Sequence, residues 1–168
     1  MFGMPKEMAN VEVRLNSDAT IVPQLGAHIL IHVLSDALTW GLGFTQAIEA
    51  RWPNSARSLE SRLRHTSQRP NLGDVLWTKL EERMSLASLI VERSRGNPKT
   101  SLDLEAFSQS LGQVADLALK TTSVVHAPPI GTGLSGATWK EVHATLQSAL
   151  GARGVIVVVH CLGNRPPE

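Results

Sequence analysis

The chain has 168 residues, 42% hydrophobic and 18% charged, which suits one folded domain with a core of its own. Lys and Arg total 16 against 15 Asp and Glu, a net charge of +1, so no strong field calls for DNA or an anionic membrane, and an anion must be held by local geometry. A single cysteine, Cys161, excludes an internal disulfide and a Cys-rich zinc site, and the six histidines make no helical metal pair, so neither metal nor cofactor is expected.

In chain order, Val11–Leu15 alternates and predicts a short strand. Ala27–Leu34 is a dense apolar run holding two histidines and predicts a buried strand. Phe44–Trp52 has helical spacing and is stopped by Pro53. Ser55–His65 is charged, with Leu59 and Leu63 on one side, and predicts a surface helix. Gly73–Leu80 and Met84–Val91 read as strands joined by the charged turn Glu81-Glu82-Arg83. Ser94–Thr100 reads as a loop. From Ser101 to Lys120, the positions Leu104, Phe107, Leu111, Val114 and Ala118 trace one apolar helix face. Ser123–Ala127 is a strand ended by Pro128-Pro129. A helix then carries Trp139, Val142, Leu146 and Leu150 on one face, with Thr138 and Glu141 as a capping box. Gly154–Cys161 is the last strand, and Gly163–Glu168 a loose tail. The order β β α α β β α β α β predicts an α/β fold whose sheet is covered on both faces.

Two loops carry the candidate chemistry. Gly131-Thr132-Gly133-Leu134-Ser135-Gly136 lies between a strand and a helix. Glycines allow positive φ and close approach of a ligand to the amides, and the helix behind offers its N-terminus to an anion. A structural turn is an equal reading of this loop alone. The spacing also fits a dinucleotide-binding fingerprint, which needs an acid at the end of the next strand. That strand ends at His160-Cys161, and no acid follows before Glu168. A phosphate loop of the Gly-Lys-Ser/Thr kind is excluded by the missing lysine. Trp40-Gly41-Leu42-Gly43-Phe44 is the other loop. Its glycines offer a second set of amides, although Trp40 and Phe44 can equally pack on the sheet.

The run His32-Val33-Leu34-Ser35-Asp36-Ala37-Leu38-Thr39-Trp40-Gly41-Leu42-Gly43-Phe44, with Ala47 and Arg51-Trp52-Pro53, resembles the first ligand loop and following helix of bacterial macrodomains. The branch is the one that includes terminal ADP-ribose glycohydrolases and DNA-ADP-ribosylation antitoxins. Val125-His126-Ala127-Pro128-Pro129-Ile130 and the glycine-rich run after it, with Trp139, resemble that branch's second loop. Leu72-Gly73-Asp74-Val75 and the strand Leu86–Glu92 stand in the expected places between them.

The resemblance covers about residues 11–161 and implies one three-layer α/β/α macrodomain over 1–168, with a mixed central sheet and short tails. It implies ADP-ribose, or ADP-ribosylated protein or nucleic acid, as the partner. It implies that Asp18 accepts from the adenine amino group. Trp40, Gly41, Leu42, Gly43 and Phe44 would wrap the diphosphate and distal ribose, and Gly131, Thr132, Gly133, Leu134, Ser135 and Gly136 would hold the diphosphate from the other side. Ser35 and Asp36 would lie near the distal ribose; in a hydrolase the bound diphosphate would position a water against its anomeric carbon, with Ser35 or Asp36 helping to orient it.

The departures from the family concern chemistry more than binding. Ser35 and Ser88 stand where relatives have Asn, Glu92 where they have Gln, Pro129 where Arg is common, and Ser17 where Gly precedes the aspartate. Ser135 replaces the acid that partners a lysine nucleophile in some hydrolases, and only Arg93 and Lys99 lie near that lysine's place. An ADP-ribosyl hydrolase and a non-catalytic reader of ADP-ribose therefore both fit, and a Rossmann-like nucleotide protein fits poorly. Cys161 and the histidines His28, His32 and His126 read as core or rim residues, and His65 and His143 as helix surface. No membrane segment or signal core is visible, so a cytoplasmic, monomeric protein is the expectation.

Overall fold

The computed structural model describes residues 10–40, 43–96, 100–131 and 136–168. The elements are β1 Val11–Arg14, β2 Ala27–Ser35, α1 Phe44–Arg51, α2 Pro53–His65, β3 Val75–Glu81, β4 Met84–Ser94, β5 Thr100–Leu102, α3 Leu104–Thr121, β6 Ser123–Ala127, α4 Trp139–Ala149 and β7 Val157–His160, with a short 3-10 turn at Gly151–Arg153. One mixed sheet has the order β1-β7-β6-β2-β4-β3, with β5 paired to the end of β4. The β1–β7, β7–β6, β6–β2 and β2–β4 pairs are parallel, and β3 and β5 run antiparallel to β4.

Alternate residues of the strands feed two cores, as a strand's period of two requires. Ile29, Ile31, Leu89, Val125, Val157 and Val159 pack under α3 and α4 with Phe107, Leu111, Val142 and Leu146. Leu30, Leu34, Met84, Leu86 and Ile90 pack on the other face with Ile48 of α1 and Leu59 and Leu63 of α2. The α/β expectation with helices on both faces therefore holds, and the large side chains Phe107, Ile31 and Leu89 are fully buried.

Local chemistry fixes the helix ends. Pro53 ends α1 and, lacking an N–H, opens α2 at its first turn, with Trp52 as the break between them. The expected helix start at Ser101 is corrected: Ser101 and Leu102 pair with Arg93 and Glu92 as β5. The helix begins after Asp103, whose side chain accepts from Ala106 N–H at 2.9 Å. The loop expected over Ser94–Thr100 is narrower, since Ser94 ends β4 and Thr100 starts β5, and 97–99 lie outside the described residues. The Thr138–Glu141 capping box forms as the spacing predicts. The last strand is shorter than expected because Gly154, at φ 85°, closes the 3-10 turn.

At the β3 edge, Arg62 donates to the Trp77 carbonyl at 3.1 Å and Ser55 to the Lys79 carbonyl at 3.1 Å. Side chains of α2 thus occupy carbonyls that would otherwise template another strand.

Candidate functional site

From β2 the chain leaves through α1 and α2 on one face, forms the edge strand β3 and turns back into β4 beside β2; from β6 it leaves through α4 on the opposite face and returns in β7. Neighbouring strands whose connections diverge in this way leave a crevice at their C-terminal ends, the place where open α/β sheets bind ligands. The register deepens it. Leu30 pairs with His126, so β6 stops level with Ile31 while β2 runs on to Ser35, a step of about 13 Å at the usual strand rise. Both glycine-containing loops flank this step.

In the first loop, Asp36 N–H donates to the Glu92 carbonyl at 2.8 Å, and Ser94 N–H donates to Asp36 Oδ1 at 2.9 Å. The start of the loop is thereby tied to the end of β4. Ser35 is buried, and its carbonyl accepts from Leu38 N–H at 2.8 Å. Leu38 sits at φ 55°, a left-handed conformation unusual for a leucine. Trp40 donates from Nε1 to Glu49 at 2.6 Å and meets the His32 ring edge-on at 5.9 Å. Trp40 and Phe44 both pack partly against the α1/α2 core. Gly43 adopts φ 59° and ψ −130° at the start of α1, a conformation open in practice only to glycine. No side chain caps α1, and its first turn carries no acid, a polarity that suits an anion.

In the second loop, Gly131 has φ 80°, and a Cβ there would lie 2.9 Å from Val142 Cγ2 and 3.1 Å from Ala137 Cβ. Gly136 has φ 68°. The terminus of α4 behind this loop differs from the α1 terminus. Its Thr138 and Glu141 amides are taken by the capping box, and the Glu141 carboxylate lies within it. Hydrogen bonds from Thr138 hold that carboxyl below the usual range. The helix-end polarity expected behind the second loop is thus better supplied by α1. The positions Gly41, Leu42, Thr132, Gly133, Leu134 and Ser135 lie outside the described residues.

Asp18 follows β1. Its Oδ1 accepts from Thr20 N–H and from the Thr20 hydroxyl, each at 2.8 Å. Among the described residues none donates to Oδ2.

Candidate acids and bases are scarce. Arg93 is paired with Asp103 at 2.9 Å. His32 is buried, contacts Ser88 Oγ at 2.6 Å and leaves Nδ1 without a partner; burial pushes its pKa down to about 3. Burial raises the Cys161 thiol pKa, which fits an inert apolar role. Among the described residues no group of His, Cys, Asp and Glu could hold a metal ion. No helix there is long and apolar enough to cross a membrane. Sequence reading missed one feature: His28, His126 and His160 form a hydrogen-bonded row across β2, β6 and β7. Each stands alone in sequence, and only the strand order brings them together.

No protein-family model matches the chain. The curated mouse (Mus musculus) protein Chromodomain-helicase-DNA-binding protein 1-like is 28% identical over 152 residues, 82% of this chain, which spans only 16% of that protein's length. The solved Thermosipho africanus DarTG, in complex with ADP-ribose, shares the fold at a TM-score of 0.64 and 14% identity, over 84% of this chain and 40% of that one. A solved macrodomain protein from Streptomyces coelicolor superimposes at a TM-score of 0.76 and covers 89% of this chain. With 30% identity to that protein over 97% of its length, the chain belongs to the macrodomain family.

Proposed function

We propose that the chain binds ADP-ribose across the step between β6 and β2 and removes ADP-ribose from modified protein or nucleic acid. The observation that carries this reading is the switch point itself, flanked by Gly43 and Gly131 in left-handed backbone conformations that favour glycine. The diphosphate lies between the two loops, taking amides from Gly41–Phe44 on one side and Gly131–Gly136 on the other. Asp18 accepts from the adenine amino group through Oδ2. Ser35 and Asp36 face the distal ribose. In the reaction, the oxygen of a water bonds to the anomeric carbon, the bond to the modified macromolecule breaks, and the leaving group takes a proton. Asp36 orients that water.

A reader without turnover is the second reading. It is favoured by the engagement of Asp36 Oδ1 with Ser94 N–H and of Arg93 with Asp103. The two are separated by incubating the protein with ADP-ribosylated protein and with ADP-ribosylated DNA and following free ADP-ribose. Release above the blank supports the hydrolase. Binding of ADP-ribose without release from either substrate supports the reader.

A further inference from the structure

His28, His126 and His160 are all buried and stand on three adjacent strands. His28 Nδ1 lies 3.0 Å from His126 Nε2, and His126 Nδ1 lies 2.9 Å from His160 Nε2. The row ends at 2.8 Å from the Leu25 carbonyl, on His28 Nε2, and at 2.6 Å from the Ser17 hydroxyl, on His160 Nδ1.

Elementary hydrogen-bond chemistry sets its direction. A carbonyl only accepts, so His28 Nε2 carries a proton. A neutral imidazole has one donor and one acceptor. In the neutral row His28 Nδ1 is therefore an acceptor, and His126 donates to it from Nε2. His126 Nδ1 then accepts from His160 Nε2, and His160 Nδ1 accepts from the Ser17 hydroxyl. Every ring is the Nε2–H tautomer, and every group is satisfied. Burial lowers the pKa of His126 to about 3 and that of His160 in the same direction, which keeps both neutral at neutral pH.

Both anchors of the row belong to the segment between β1 and β2, and that segment carries Asp18. Ser17 is further held by its N–H, which donates to the Cys161 carbonyl at 2.9 Å. The Ser17 hydroxyl proton is committed to His160. We infer that the His28–His126–His160 row and Ser17 are positioning residues for the nucleobase: they clamp the segment that carries Asp18 at both ends and so fix where Asp18 presents Oδ2 to an exocyclic amine. This rests on the reading that Asp18 contacts adenine.

Two measurements test it. Nitrogen-15 NMR of the histidine rings at neutral pH should show all three as Nε2–H tautomers; an Nδ1–H tautomer or a charged ring at any of them overturns the row. Calorimetric titration then compares ADP-ribose with its hypoxanthine analogue, which lacks the amine. Ser17→Ala should reduce the preference for ADP-ribose by about threefold to tenfold, and Ser17→Thr, which keeps a hydroxyl, should restore it to within about twofold. An unchanged preference in Ser17→Ala overturns the positioning role. If the native protein binds neither ligand, the ligand reading fails and the positioning role with it, whereas the tautomers still decide the row's polarity.

Discussion

Acidification perturbs two imidazoles that the fold keeps dry. His32 and His126 are buried at 1% and 2% exposure, and burial lowers both pKa values to about 3. In the unfolded chain each returns to about 6.5. Between about pH 6.5 and about pH 3 the unfolded state therefore holds more protons than the folded state, and stability falls as the pH falls. Each histidine costs about 1.4 kcal/mol per pH unit in that window. Two units of acidification, to about pH 4.5, remove roughly 5 kcal/mol for the pair, a large share of the 5–15 kcal/mol typical of a whole domain. The lowered pKa of His160 acts in the same direction. Asp103, whose carboxyl is lowered by the Ala106 amide and by Arg93, adds to the loss only below the ordinary carboxylate range. Urea melts followed by circular dichroism across this pH range measure the effect. His32→Leu, which removes one of the two protons, should flatten the slope by about half. A native stability that changes by less than about 1 kcal/mol from pH 6.5 to 4.5 would refute the assignment of neutral buried rings.

Other substitutions probe the loops. Gly131→Ala meets a φ of 80° and Val142 Cγ2 at 2.9 Å; a loss of about 2 kcal/mol in a denaturant melt is expected. Asp36→Asn keeps an oxygen for Ser94 N–H and removes the charge, so ADP-ribose affinity should stay within about threefold while any turnover falls by about a hundredfold. Equal turnover in Asp36→Asn and the native protein would take Asp36 out of the mechanism. Asp103→Ala removes the α3 cap and its bond to Arg93 and should cost about 1 kcal/mol in the same melts.

Much of the fold was legible in the sequence because its signals are local. The apolar run of β2, the 104–118 stripe of α3 and the Thr138–Glu141 box of α4 each need only their own neighbours in the chain. The three-residue β5 was hidden because its pairing with β4 is a tertiary event, and the apolar stripe that follows it drew the predicted helix start too early. Of the site, the glycine loops stood out by composition, and Gly43, Gly131 and Gly136 do take positive φ. The step between β6 and β2 required the register, and the histidine row required the strand order β7-β6-β2; neither leaves a mark on the linear chain. The tie from Asp36 to Ser94 likewise emerged only when the ends of β2 and β4 were brought side by side.

ADP-ribose held at the β2–β6 switch point is what everything proposed for the loops and Asp18 depends on. Calorimetric titration of the native protein with ADP-ribose, beside AMP and NAD, tests it most directly. One site of roughly micromolar affinity for ADP-ribose is expected, with weaker binding of AMP and loss of binding in Gly133→Glu, which sets a carboxylate in the second loop. Absence of binding at millimolar ADP-ribose would contradict it, and the macrodomain fold would then carry some other task.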